Sequence, residues 1–159
     1  MANWCSNTVA FEGNETALEQ IKLEFRKMMT KEEKENCGQL PEFISENNRG
    51  YFFVIVWEEI DSIFNYQTKW SPNSETLMQI AKRFKVDLIH DFEEMGNLIY
   101  GRTIFSDNEL TAIYLEDEDF EKYQYDEETE IYHFEEKTYY NDYEILEILL
   151  ERKIKATII

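Results

Sequence analysis

Alternating and helical apolar patterns divide the first part of the chain into predicted strands and helices. Residues 3–12 alternate apolar and polar side chains, which predicts a strand. Apolar residues then recur at helical spacing over residues 15–35, and Asn14 stands at the position of an N-cap. Glycine, proline and asparagine interrupt residues 36–50, which we interpret as an irregular connection.

A predicted hairpin and a second helix come next. Residues 51–57 are apolar on both faces, as in a central strand, and residues 63–70 are its antiparallel partner across a turn at 58–62. Ser71 is the predicted N-cap of a helix over residues 72–85. This helix would begin with Pro72. Proline suits the first position of a helix, because the N–H group that it lacks would have no partner there.

Two more predicted strands complete a recognisable order of elements. Residues 86–92 and 98–105 are rich in β-branched and aromatic side chains. Gly101 lies inside the second of them and permits a bulge or a close backbone approach. The order β-α-β-β-α-β predicts an α+β fold of the ferredoxin-like type, in which an antiparallel sheet carries two helices on one face. The strand at 98–105 extends that sheet.

The rest of the chain is less regular. Residues 110–115 predict a further strand, and residues 123–125 and 130–134 predict a hairpin. The pair Asn141-Asp142 offers an N-cap for a last helix with a wide apolar surface. Residues 154–159 fit either a terminal strand or a frayed end.

Short motifs connect this chain to a known family. They are Met1-Ala2-Asn3-Trp4-Cys5-Ser6-Asn7, Thr68-Lys69-Trp70-Ser71-Pro72, and Glu94-Met95-Gly96 followed by Tyr100-Gly101. Together they resemble the ferredoxin-like domain of YubB-type proteins of bacterial plasmids and phages, over residues 1–105. The resemblance implies a ferredoxin-like fold and a bacterial or mobile-element source, and it brings no catalytic residue with it.

Charge separates the chain into two parts. The net charge is −18, and residues 107–151 contain 17 acidic residues against Lys122 and Lys137. We therefore predict a ferredoxin-like domain over residues 1–106 and an acidic, tyrosine-rich extension over residues 107–159. The extension packs on the same domain or forms a second small subdomain. Such a field repels phosphate and anionic membranes, so direct nucleic-acid or membrane binding is not expected, and it attracts basic partners.

The composition indicates neither a membrane span nor a cofactor. No apolar run approaches the roughly 18 residues of a membrane span, and no signal-peptide pattern begins the chain, so a cytoplasmic location is expected. Cys5 and Cys37 are far apart, which favours reduced structural thiols. An iron–sulfur cluster generally needs four thiolates and is excluded. No cofactor or metal is predicted.

Candidate catalytic residues are few. His90 and Asp91 precede Glu93 and Glu94. This combination fits a general base or a metal cluster, although polar residues at a strand end explain it more simply. His133 lacks a metal-binding spacing. An enzyme with an unrecognised site of histidine and carboxylates is one alternative, and whether the protein is an enzyme stays open.

Two other binding functions depend on exposed side chains. The aromatic residues that would stack bases if they shared one open face of the sheet are Trp4, Tyr51, Tyr66 and Trp70. The negative charge instead favours packing of these rings in the core or at an interface. The acidic run Glu116–Asp119 suggests calcium, but no glycine occurs downstream to form a calcium-binding loop.

The leading hypothesis is a non-enzymatic binding protein whose acidic surface engages a basic protein partner. Tyrosines alternate with carboxylates in the acidic part, and tyrosine is favoured at protein interfaces. The predicted partner-binding residues are Glu116, Asp117, Glu118, Asp119, Tyr123, Tyr125, Asp126, Glu127 and Glu128. A further alternative is a nucleic-acid mimic that inhibits a DNA- or RNA-binding protein, which requires carboxylates in dense rows.

Overall fold

The computed structural model describes residues 3–45, 49–59 and 61–158. The residues of the sequence predictions that lie outside these ranges are Met1, Ala2, Glu46, Asn47, Asn48, Ile60 and Ile159. Within the described ranges, no helix has the length and apolar character needed to cross a membrane.

The first elements are β1 (Trp4–Glu12), α1 (Glu15–Glu35), β2 (Phe53–Val56), β3 (Ile63–Lys69), α2 (Ser74–Phe84), β4 (Asp87–Glu94) and β5 (Ile99–Ser106). A 3-10 turn over Met95–Asn97 joins the last two. The remaining elements are β6 (Glu109–Tyr114), α3 (Asp117–Phe120), β7 (Gln124–Asp126), β8 (Ile131–Phe134), β9 (Lys137–Tyr139) and α4 (Tyr143–Ile158).

The strands form two antiparallel sheets. The large sheet has the order β2-β3-β1-β4-β5-β6, and the small sheet has the order β7-β8-β9. Strands β1 to β4 with helices α1 and α2 make the split β-α-β-β-α-β arrangement, so the predicted ferredoxin-like α+β fold is confirmed. Strands β5 and β6 widen the sheet beyond β4, and β7 pairs with β8 as the predicted hairpin.

Helices α1 and α2 cover one face of the large sheet, which we call the helix side. Alternate residues of each strand point to it: in β3, Phe64 and Tyr66 are buried whereas Asn65 is exposed. Phe25 of α1 stacks on Phe64 with ring centroids 3.8 Å apart, and Phe52 meets Phe25 edge-on. Because each buried side chain of this size contributes roughly 1.5–3 kcal/mol, the aromatic cluster holds α1 on the sheet.

The second helix begins later than predicted. α2 starts at Ser74 with Asn73 at the N-cap position, so the prediction of Ser71 as N-cap is wrong. Trp70 adopts a φ of 69°, a left-handed conformation that turns the chain after β3 and delays the helix. The side chain of Asn73 accepts a hydrogen bond from the Tyr66 hydroxyl at 2.6 Å. This bond ties the start of α2 to the core of the sheet.

Helix α4 covers the other face of the large sheet, the far side, at β5 and β6. Ile104 and Ile113 point to the far side and pack against α4. The buried residues of this second apolar cluster are Ile113, Leu115, Phe134, Ile145, Leu146, Leu149 and Leu150. Ile154 continues the apolar face of α4, which remains helical to Ile158. The alternative of a terminal strand is therefore wrong for residues 154–158.

Gly101 allows β6 to lie close to β5. A Cβ atom at this position would stand 2.7 Å from the Ile113 carbonyl oxygen and 2.8 Å from the Tyr114 Cβ. Real Cβ atoms do not approach so closely. The close backbone approach predicted at this glycine is confirmed.

Replacing Gly101 by alanine is expected to lower the free energy of unfolding by about 1–3 kcal/mol, because the backbone of β6 must move to admit the methyl group. Chemical denaturation measures this change. The control is Ser106→Ala, which removes a hydrogen bond to Asp87 at the exposed end of the same strand and should change stability by less than about 0.5 kcal/mol. Equal stability of the wild type and the Gly101 variant would contradict the close approach.

Candidate functional site: an acidic groove on the far side of the sheet

A groove runs along the far side of the large sheet beside α4. Helix α4 packs on β5 and β6, whereas far-side residues of β1 and β4 remain partly exposed. The groove between them has a volume of about 240 Å³. The polar residues that line it are Ser6, Thr8, Asp91, Glu93, Tyr100, Tyr143 and Glu147, and we call it the acidic groove.

Strand register places the polar side chains of the groove floor in rows. Thr8 lies opposite Asp91, and Ser6 lies opposite Glu93, in the antiparallel pair of β1 and β4. Glu93 in turn lies opposite Tyr100 of β5. Because alternate residues of a strand share one face, these five side chains all point away from α1 and α2.

Helix α4 forms the wall of the groove. Its apolar residues pack on β5 and β6, and this docking brings Tyr143 and Glu147, one helical turn apart, to the groove. The Tyr100 hydroxyl donates to the Glu147 carboxylate at 2.6 Å. This hydrogen bond connects the helix to the sheet across the groove.

Negative charge is crowded in the acidic groove. Burial and the Asp142 carboxylate raise the pKa of Glu93. The charge of Glu93 and burial raise the pKa of the Tyr143 hydroxyl. Burial and the hydrogen bond to Glu147 raise the pKa of Tyr100. A carboxyl group and two hydroxyl groups thus all hold their protons more strongly because further negative charge is unfavourable here.

One arginine neutralises part of this charge. The Arg102 guanidinium donates to the Asp91 carboxylate through Nε at 2.6 Å and through Nη2 at 3.1 Å. This bidentate pair raises the pKa of Arg102. Among the described residues, no lysine or arginine forms an ion pair with Glu93 or Glu147. The groove therefore retains negative charge that suits a cationic side chain.

The side chains of the acidic groove can bind a positive charge. The described residues contain no group of three or more His, Cys, Asp or Glu side chains placed to hold a metal ion. A lysine or arginine entering the groove would meet carboxylates and the rings of Tyr100 and Tyr143, which favour cations through their π faces. These groups are suited to recognise a positively charged side chain.

The first half of the predicted partner-binding stretch belongs to α3 and its N-cap. Glu116–Glu118 are exposed, but the Asp119 side chain is buried. The Asp119 carboxylate accepts hydrogen bonds from Lys122 at 2.8 Å and from Lys153 at 2.6 Å. Although burial opposes its ionisation, these two lysines lower the pKa of Asp119 to about 2. Asp119 therefore joins α3 to α4 and does not face solvent.

The second half lies on β7 and its turn. Tyr123 packs against the α4 cluster, whereas Tyr125 is half exposed. The Asp126 carboxylate accepts the backbone N–H of Glu128 at 2.9 Å, which fixes the turn, and Glu127 is exposed beside it. The stretch therefore offers surface carboxylates at two places, α3 and the β7–β8 turn.

The structure separates His90 from the neighbouring carboxylate Asp91. His90 is fully buried on the helix side, whereas Asp91 points to the far side. The His90 Nε2 lies 2.8 Å from Asn7 Oδ1, and Nδ1 lies 3.3 Å from the Ser74 hydroxyl. Because the Asn7 amide donates to two other oxygens, its Oδ1 faces the imidazole and Nε2 carries the proton. The alternative of a His90–Asp91 cluster is wrong, and His133 is exposed on β8.

The aromatic residues considered for base stacking do not share a face. Tyr66 is buried on the helix side. Trp4 lies in β1 on the opposite face, where its ring meets Phe53 edge-on at 5.1 Å. Trp70 is exposed in the turn after β3. These positions rule out a single stacking platform built from these residues.

The acidic groove itself was not predicted. Its residues come from β1, β4, β5 and α4, which are far apart in sequence. The sequence carries a partial signal, since Asp91 and Glu93 alternate with Leu88, His90 and Phe92 and so mark the exposed face of β4. It contains no signal for the position at which α4 docks.

The buried imidazole gives a pH-dependent stability. Burial lowers the pKa of His90 to about 3, from an ordinary value of 6.5 in the unfolded chain. Between these values the unfolded chain binds a proton that the folded protein does not, so stability is lost as the pH falls. We expect a contribution of roughly 1 kcal/mol per pH unit over that range.

Comparing the wild type with His90→Gln by chemical denaturation at several pH values isolates this contribution, because both proteins share the same carboxylates. The wild type should lose stability more steeply as the solution is acidified below pH 6.5. Parallel curves for the two proteins would show that the imidazole is not held neutral.

A family match agrees with this architecture. Residues 52–135 match the family described as the ferredoxin-like domain in Api92-like protein. The matched segment runs from β2 through β8 and includes the strands that provide Asp91, Glu93 and Tyr100. No curated protein and no solved structure matches the chain. Since the match covers more than half of the 159 residues, the chain belongs to this family of ferredoxin-like domains in Api92-like proteins.

Proposed function

We propose that this protein is a binding protein that engages a basic segment of a protein partner through the acidic groove. The observation that carries the proposal is that Glu93 and Glu147 lie in one groove with Tyr100 and Tyr143 and form no ion pair among the described residues. Carboxylates and tyrosines in one concave surface are suited to a lysine or arginine side chain.

Binding of a cation would relieve the repulsion already present in the groove. The raised pKa values of Glu93 and Tyr143 reflect negative charge nearby as well as burial. A partner lysine or arginine placed beside these groups stabilises their charged forms and gains Coulomb energy that water screens only in part. The free protein therefore carries an electrostatic strain that a basic partner removes.

The exposed part of the predicted partner-binding stretch is included in the same proposal. Glu116–Glu118, Tyr125 and the turn carboxylates Asp126–Glu128 extend the negative surface beyond the groove and would attract a basic protein over a longer range. From the resemblance to YubB-type proteins, we propose that this interaction occurs in a bacterial cell or a mobile element, and that its location is the cytoplasm.

Titration with an octapeptide of lysine tests the groove. We expect the double variant Glu93→Gln/Glu147→Gln to bind the peptide roughly tenfold more weakly than the wild type, a loss of about 1.4 kcal/mol. Calorimetry at low salt measures the affinity, and the difference should shrink at about 0.15 M salt because screening reaches the rim of the groove. The variant should stay folded, because the glutamine at position 147 keeps an acceptor for the Tyr100 hydroxyl.

The control changes the same amount of charge elsewhere. Glu33→Gln/Glu58→Gln neutralises two exposed carboxylates in α1 and after β2 and should leave the affinity within about twofold. A third variant, Glu127→Gln/Glu128→Gln, measures how much the predicted partner-binding stretch contributes to the affinity for the peptide. Equal affinity losses in all three variants would mean that the peptide senses only net charge, and the groove would not be the site.

A further inference from the structure

The two edge strands of the large sheet differ in how well they are protected against pairing with a further strand. At the β2 edge, the Glu32 carboxylate accepts the backbone N–H groups of Val54 at 2.7 Å and Ile55 at 3.1 Å. Val54 also has a φ of 50°, which interrupts the strand. A carboxylate and an irregular residue close that edge to a further strand. At the other edge, β6 pairs with β5 and with no other strand among the described residues.

The register shows which backbone groups β6 directs outward. Just beyond β6, the Leu115 N–H donates to a β5 carbonyl at 2.9 Å. Residues of an antiparallel strand alternate between bonding to the neighbour and pointing away from it. Leu110, Ala112 and Tyr114 therefore direct their N–H and C=O groups away from β5. Lys153 Nζ donates to the Tyr114 carbonyl oxygen at 3.4 Å, which agrees with that direction and occupies this one acceptor. The other outward groups of Leu110 and Ala112 remain available for pairing.

The same residues of β6 line an apolar groove on the helix side of the sheet, with a volume of about 570 Å³. Leu98, Leu110 and Tyr114 are 43%, 41% and 55% exposed along it. The start of α2, at Pro72 and Ser74, forms the inner wall and leaves β6 uncovered. An open strand edge and an apolar groove thus lie side by side, in a form that suits an extended peptide.

We propose that β6 receives an extended segment of a partner protein in which apolar and basic residues alternate. The main chain of that segment pairs with the outward groups of β6, and every second side chain enters the apolar groove. Basic residues suit the other positions because the exposed Glu109 lies at one end of the strand and the exposed Asp117 lies at the other, whereas Glu116 is already paired with Lys153. This surface lies on the opposite face of the sheet from the acidic groove, although Phe92 and Tyr100 contribute to both cavities. The inference does not depend on binding in the acidic groove.

A second copy of the chain is the competing occupant of an open edge, and charge opposes it. Two β6 edges side by side would join chains that each carry a net charge of −18. Their fields repel each other, whereas the same field attracts a basic segment. The charge of the protein therefore favours a basic partner over self-association.

The test uses the full chain and an octapeptide in which valine and lysine alternate. We expect the peptide to slow amide hydrogen exchange at Leu110, Ala112 and Tyr114, as followed by NMR. Ala112→Pro removes an outward donor without removing a bond to β5, so the fold is retained and the affinity falls roughly tenfold. Thr111→Val keeps all three outward donors and changes a side chain on the far side of the sheet, so it is the control, with unchanged protection of the same amides.

A second peptide separates strand pairing from charge. N-methyl groups on alternate amides keep the lysines and valines but prevent pairing, so this peptide should bind roughly tenfold more weakly. Equal binding of the two peptides, or no slowing at the three amides, would overturn the proposal. Protection of these amides in a dimer without peptide would also overturn it.

Variants of the two surfaces allow the proposal for the acidic groove and the proposal for β6 to be tested independently. Glu93→Gln/Glu147→Gln should leave the amide protection at β6 intact, whereas Ala112→Pro should leave binding of the lysine octapeptide to the acidic groove intact. Loss of β6 protection in the groove variant would show that the two surfaces are one site, and the proposal of a separate strand-addition edge would then fail.

Discussion

The packing of α4 on the far side of β5 and β6 is the contact that covers the added strands and forms the wall of the acidic groove. The ferredoxin-like arrangement buries only the helix side of its sheet, so the added strands expose a new apolar face. Ile145, Leu146 and Leu149 bury that face, each worth roughly 1.5–3 kcal/mol. Because α4 ends its coverage at β5, the far side of β1 and β4 becomes the floor of the acidic groove. Because α2 stops before β6, the opposite face of that strand stays open.

The few cations near α4 are used to hold the structure together. Lys153 binds the buried Asp119, Arg152 binds Glu135 through two nitrogens, and Arg102 binds Asp91. The first two pairs join α4 to α3 and to the β8–β9 turn, and the third joins β5 to β4. Of the carboxylates in the acidic groove, only Asp91 forms an ion pair among the described residues, and Glu93 and Glu147 form none. The few lysines and arginines near α4 are used in structural ion pairs. The negative surface that we propose binds a partner therefore remains.

The local elements of the fold could be predicted from the sequence, because each depends on neighbours along the chain. The alternation in β3, the N-cap Asn14 and the β7–β8 hairpin all follow such patterns. The start of α2 was misplaced because the left-handed turn at Trp70 has no sequence signal of its own. The burial of Asp119 was missed for a different reason: its partner Lys153 lies on α4, and only tertiary docking brings them together.

The central claim is that the acidic groove, and not the acidic composition as a whole, recognises a basic partner. The most direct measurement is an NMR titration of the isotope-labelled protein with the lysine octapeptide. Binding in the acidic groove should give saturable shifts concentrated at Ser6, Thr8, Glu93 and Tyr143, which surround the groove on the sheet and on α4. Shifts spread evenly over exposed carboxylates, or confined to the β7–β8 turn, would contradict it.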